Sequence, residues 1–227
     1  HGSRNDFKEK AMDRTIRIEG TGRASAKPDL IRVTLNVSAL DKDYAKVITE
    51  ADAKMNELNA LACGVGLGKN ALKTCDFSVD SEYRSVRNES GEYRQEFVGY
   101  RCRHSLKVEF GFDTTLLGNV LSAFAASNAK PELGVEFALA DESGFVRLAL
   151  AAAVDDAKMR ASAIAEAAGV KLDGITSVEN CNRGNDFRSN TNVNFESRAV
   201  ALSAKCASVE PENVETTETV VVTFAVK

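Results

Sequence analysis

The chain contains no tryptophan, three prolines and only two histidines, one of which is residue 1. The shortage of imidazole matters most, because any mechanism that needs a histidine base, acid or ligand must run through His104. No apolar stretch approaches the ~20 residues of a membrane-spanning helix, and the most apolar run, Leu148 to Val154, is far too short. The five cysteines, at 63, 75, 102, 181 and 206, are odd in number and include no CxxC pair. They read as reduced thiols of a cytosol, not as a disulfide framework or a zinc site. Excess positive charge is missing too. Against 33 Asp and Glu stand 29 Lys and Arg, a formal net charge of -4, which argues against nucleic acid held by a basic field. What remains is a globular composition, 44% hydrophobic and 27% charged over 227 residues, large enough to fold without metal or disulfide.

Residues 1–11 are polar and carry no apolar core segment. They read as a fusion remnant or a disordered N-terminus, with Met12 as a native start. On that reading the protein is cytoplasmic; if a leader was removed, the cell envelope or the exterior is the alternative.

Strand patterns come first. Ile16 and Ile18 open one strand, which ends at Gly20-Thr21-Gly22, where glycine suits a bend or bulge. After Pro28-Asp29, the residues Ile31, Val33, Leu35, Val37 and Ala39 alternate with Arg32, Thr34, Asn36 and Ser38, the mark of a half-buried strand. Asp41 then offers an N-cap, and Tyr44, Val47, Ile48, Ala51, Met55, Leu58, Leu61 and Ala62 fall on one helical stripe that Gly64, Gly66 and Gly68 end. A hairpin follows, from Cys75, Phe77 and Val79 through a turn at 88–91 to Phe110. Asp113 caps a second helix, broken at Asn128 to Pro131. Leu133, Val135, Phe137 and Leu139 form another strand. Asp141 or Ser143 opens an Ala-rich third helix, whose small side chains let it lie close to a neighbour. Strand sequence resumes at Ile175, and Thr219 to Val226 is a last, Val-rich strand. The segment 183–198 reads as a mobile polar loop, with an ordered binding loop as the alternative.

The expectation is an α+β fold: a mostly antiparallel sheet packed by three main helices, about 41–64, 113–127 and 143–168. No Pro/Gly-rich linker divides the chain, so 12–227 is expected to be a single domain. Two ββα segments, 15–66 and 73–127, echo each other in element order, a weak hint of duplication.

The candidate chemistry is thin. His104 shares a strand face with Val98, Tyr100, Cys102, Leu106, Val108 and Phe110, where an imidazole usually packs with one hydrogen bond satisfied. A hydrolase using His104 would need a Ser or Cys nucleophile within reach, and neighbouring Cys102 makes no recognisable dyad. Gly64-Val65-Gly66-Leu67-Gly68-Lys69 closes a helix instead of opening one, so it is no phosphate loop. The basic row Arg84, Arg87, Arg94, Arg101, Arg103 and Lys107 can attract an anion or guard a sheet edge. Asp155, Asp156 and Glu166, and Glu210, Glu212 and Glu215, lack metal-ligand spacing. Cys102, beside Arg101 and Arg103, is the best candidate for a redox thiol; Cys63 and Cys75 flank one connector and could approach each other.

Taken in order, Gly20-Thr21-Gly22, Lys27-Pro28-Asp29, Gly99-Tyr100, Ala157-Lys158 with Ala161 and Ala165, Gly169-Val170, Gly174 and the closing Val220-Val221-Val222-Thr223-Phe224 resemble the SIMPL-domain family over about 15–227. The resemblance implies helices packed on a mostly antiparallel sheet. It also implies oxidative-stress or envelope-associated roles for some bacterial members and a kinase-associated signalling adaptor for an animal member. It supplies no catalytic residue and no cofactor. Gly20, Gly22, Pro28, Asp29, Gly99, Tyr100, Gly169 and Gly174 are therefore expected to be structural. Many bacterial members begin with a secretion signal, which is not visible here. The expected function is non-enzymatic: protein-protein contacts, with a homo-oligomer, unknown protein partners and no nucleic acid. The alternative is a thiol-based or small-ligand stress sensor.

Overall fold

The computed structural model describes residues 14–87, 92–181, 189–191 and 209–227. The expectations for 1–11, Met12 and Cys206 lie outside the described residues, as does most of 183–198. In chain order the elements are β1 (Thr15–Ala26), β2 (Leu30–Asp41), α1 (Tyr44–Gly64), β3 (Lys73–Arg87), β4 (Tyr93–Gly111), α2 (Thr114–Ala125), β5 (Glu132–Ala138), α3 (Glu142–Ala168), β6 (Leu172–Asn180) and β7 (Val214–Val226). The class is α+β, as expected, but the strands make two sheets: β3-β4-β2-β5 and β1-β7-β6. The described residues fall into two compact units, each assembled from separate stretches of chain.

The unit built on 27–140 holds the four-stranded sheet. Its three pairings, β3 with β4, β4 with β2 and β2 with β5, are all antiparallel. The alternation in β2 decides which face is covered. Ile31, Val33, Leu35 and Val37 are buried and pack with Leu58 and Ala62 of α1, with Leu117, Val120, Leu121 and Phe124 of α2, and with Leu106, Val108 and Phe137 from the flanking strands. Asp113 caps α2, its carboxylate accepting the Leu116 N–H at 2.9 Å. In α1 the cap is Asp43 instead of Asp41. Asp41 is still paired with Tyr100 in the sheet, so its carboxylate accepts from the Asp43 N–H at 2.8 Å while Asp43 accepts from Ala45 at 2.9 Å. Asp29 ties the strand ends together: its N–H donates to the Ala138 carbonyl, its carbonyl accepts from Phe112 and its carboxylate accepts from Ala140. Pro28, lacking an N–H, stands in the break between β1 and β2. Within 189–191, the Ser189 N–H donates to the Phe137 carbonyl at 2.8 Å.

In the other unit α3 lies on the sheet, with Ala153, Ala157 and Ala161 against Val220, Val222 and Phe224. Gly20 and Gly22 sit inside β1, which runs on to Ala26, and make neither the expected bend nor the strand end. What they provide is room. A Cβ on Gly20 would lie 2.2 Å from the Ala153 carbonyl oxygen, and one on Gly22 would lie 2.0 Å from that of Ala149. The Thr21 N–H also donates to Asp156 of α3 at 2.9 Å. Asp141 caps α3, and Gly169, at φ 69°, ends it in the left-handed conformation. Gly174, at φ 147°, sits where the β6–β7 register shifts. The ββα echo is present in element order but not in pairing. β3 and β4 bond to each other, whereas β1 and β2 belong to different sheets.

Candidate functional site: the β3–β4 arm

The hairpin of β3 and β4 outlasts its neighbour. Pairing of β2 with β4 stops at Asp41 opposite Tyr100, while β3 and β4 continue together to Arg87 opposite Tyr93. Residues 82–87 and 93–99 thus form a two-stranded arm. Its aromatic side chains are arranged by an irregularity that alternation alone does not reveal. Glu82 faces Gly99 and Tyr83 faces Phe97, so Val98 is an extra residue in β4. Such a bulge flips the face of everything beyond it. Val98 therefore leaves the apolar row assigned to it, and Phe97 joins the face of Tyr100. Gly99 lies at this irregularity, where a Cβ would meet the Asp41 carbonyl oxygen at 2.6 Å.

The outcome is a chain of rings in edge contact. Tyr44 meets Tyr100 with centroids 5.4 Å apart, Tyr100 meets Phe97 at 5.3 Å and Phe97 meets Tyr83 at 5.6 Å. Their geometry is the favourable edge-to-face kind. Three of the four remain well exposed: Tyr44 at 53%, Tyr83 at 56% and Phe97 at 38%. Large apolar side chains scattered singly over a surface are ordinary, whereas these rings are contiguous.

The opposite face carries most of the basic row, Arg84, Arg94, Arg101, Arg103 and Lys107, whereas Arg87 shares the face of Tyr83, and on the opposite face charges answer one another. Arg101 forms a two-pronged pair with Glu82, Arg103 bonds Asp80 at 3.2 Å, Arg84 bonds Glu96 at 3.4 Å and Lys107 bonds Glu109 at 3.3 Å. Arg32 of β2 lies between Glu109 and Glu136, at 2.6 and 3.4 Å. Hydrogen bonding from Arg101 holds the Glu82 carboxyl below its usual range, and Arg32 does the same for Glu109. Arg84, Arg101, Arg103 and Lys107, each paired with a carboxylate, offer an anion little field. An open depression of about 740 Å³ near the end of β5 has Lys54, Arg101, Arg103 and Lys130 along its wall against one carboxylate, Glu132. Carboxylates outside the wall answer part of this charge, Glu82 on Arg101 and Asp80 on Arg103. Lys54 already donates to the Ser38 carbonyl at 2.6 Å and pairs with Glu50 at 2.7 Å.

The partner of His104 is a threonine hydroxyl, neither the serine nor the cysteine that a nucleophilic reading expects. Its Nε2 is 2.9 Å from the Oγ1 of Thr74, and its ring meets Phe77 edge-on at 5.2 Å. Burial pushes the imidazole below its ordinary value, with the Asp52 charge partly opposing. Cys102 is 1% exposed. Burial, with Asp52 adding, pushes its thiol up, and this opposes the thiolate that redox sensing needs despite the adjacent arginines. Cys63, Cys75 and Cys181 are exposed. Among the described residues no group of three His, Cys, Asp or Glu is placed to hold a metal ion, and no helix is long and apolar enough to cross a membrane.

Fold and surface together define an α+β protein of two antiparallel sheets whose most distinctive exposed feature is an aromatic arm. The chain belongs to the SIMPL family: the family model, described as a protein of unknown function (DUF541), matches residues 16–224. A comparison with curated proteins gave no match.

Proposed function

We propose that this protein acts without catalysis, through protein-protein contacts, and that its first partner is a second copy of itself joined at the arm. The observation that carries the reading is the row Tyr44, Tyr100, Phe97 and Tyr83, four rings in contact that run from the start of α1 across the sheet to the projecting hairpin, which carries Phe97 and Tyr83. Aromatic side chains dominate interface energetics because they bury large area at small entropic cost. A two-stranded ribbon is marginal alone, so strands added from a second copy also stabilise the arm itself. The non-catalytic part is supported by the engagement of His104 with Thr74 and Phe77 and by the burial of Cys102.

Sedimentation velocity and light scattering over micromolar to millimolar concentrations test the reading. Concentration-dependent association of the full chain, weakened by Phe97→Ser, is expected. A strict monomer throughout that range overturns it.

A further inference from the structure

We infer that the two copies join edge to edge through β3, in antiparallel register with Tyr83 on the twofold axis; this rests on the self-association just proposed and specifies its interface. β3 is the outer strand of the four-stranded sheet and, among the described residues, is bonded on one side only, by β4. The bulge at the arm lies in β4, at Val98, so β3 itself runs without interruption from Asp76 to Arg87. An edge that long is a template for another strand unless something guards it.

The side chains of β3 select the register. In a twofold antiparallel pair centred on Tyr83, Tyr83 faces Tyr83 of the second copy, Glu82 faces Arg84, Ser81 faces Ser85 and Asp80 faces Val86. Opposite charges meet twice, and no like charges are opposed. The neighbouring registers lack this property. Centring on Glu82 or on Arg84 sets identical charges face to face, and centring on Ser81 sets Asp80 against Glu82. Directly opposed like charges destabilise a strand pair, and aromatic pairs strengthen it. Arg84 is free to serve both its own Glu96 and the new Glu82, because its side chain is 70% exposed in the present pair.

The aromatic row gives this register a further consequence. Tyr83 stands on the face shared with Phe97 and Tyr100. Pairing at Tyr83 therefore joins the row of each copy into one continuous row across a single extended sheet. No other centre on β3 brings the outermost rings of both rows together.

Cysteine cross-linking reads the register directly. In the full chain with Cys63, Cys75, Cys181 and Cys206 replaced by Ser, Tyr83→Cys places two thiols opposite each other. Mild oxidation should convert it to a covalent dimer on a non-reducing gel. Ser81→Cys and Ser85→Cys should each stay monomeric alone, yet form a mixed dimer when combined. All three positions are on the strand surface, and circular dichroism confirms that each variant folds. If the chain associates in sedimentation while the mixed Ser81→Cys and Ser85→Cys variants, which keep Tyr83, fail to cross-link, the β3 register is overturned and the self-association reading stands. If Ser81→Cys links to itself, the register is overturned likewise. If the unmodified chain sediments as a monomer throughout, both fall.

Discussion

At the scale of single residues, two positions show how differently sequence reasoning fares with backbone and with side chain. Gly20 and Gly22 were identifiable as special, since a strand interior rarely benefits from glycine. Their reason was not legible, because it lies on α3, more than a hundred residues away. Gly22→Ala puts a Cβ 2.0 Å from the Ala149 carbonyl oxygen and 2.3 Å from the Ala153 nitrogen, both backbone atoms that yield only if the helix moves. Overpacking of this kind costs about 1–3 kcal/mol, which a denaturant midpoint resolves. Gly68→Ala, with nothing within 4 Å of the added methyl, should leave the midpoint nearly unchanged. His104 offers a second test. Its folded-state value lies below its ordinary one, so on acidification the unfolded chain takes up the proton first. The stability linked to His104 is therefore complete above its ordinary value of 6.5 and is lost as pH falls toward the depressed folded-state value. His104→Asn should flatten the decline in stability between about pH 7 and 5. An unchanged slope would show that the imidazole titrates as it does in the unfolded chain.

At the scale of elements, the helices were the most legible part of the fold. Their apolar stripes, capping aspartates and the closing Gly169 are local signals, readable within a dozen residues. Asp113 and Asp141 cap as expected, and α1 differs only because Asp41 is retained by its strand partner Tyr100. Asp113→Ala leaves the Leu116 N–H without its side-chain acceptor and should cost about 1 kcal/mol, measured by urea unfolding. Asp41→Ala should cost less than Asp43→Ala, since only Asp43 accepts from inside the helix. The arm was less legible for a physical reason. Strand alternation assigns faces only while the register is unbroken, and one extra residue at Val98 exchanged the faces of everything beyond it. Read by alternation, Phe97 belonged with the arginines. In the folded chain it completes the row of rings, and Gly99 beside it, where no Cβ fits, was the one local sign of the irregularity.

At the scale of the whole molecule, strand number and antiparallel pairing were within reach of the sequence, but the division into two sheets was not. Which strand β1 joins depends on β7, which enters from the far end of the chain. Non-local pairing of this sort leaves no trace in the period of either strand. The same limit applies to the proposed assembly, which rests on a surface that exists only after folding. Tyr83 is half exposed, so docking buries roughly half of a large side chain, worth about 1 kcal/mol in each copy. An isologous interface counts every substitution twice. Tyr83→Ser should therefore weaken self-association by about 2 kcal/mol, roughly 30-fold in the dissociation constant. Salt separates this contribution from that of the Glu82–Arg84 pairs, because exposed ion pairs are screened and contribute little. At about 1 M NaCl, where the Debye length falls to about 3 Å, the unmodified chain should retain most of its association. The Tyr83→Ser deficit should persist at that salt concentration, because the aromatic contribution is not electrostatic in origin. If high salt instead abolished association in the unmodified chain, the charges and not the rings would be holding the copies together.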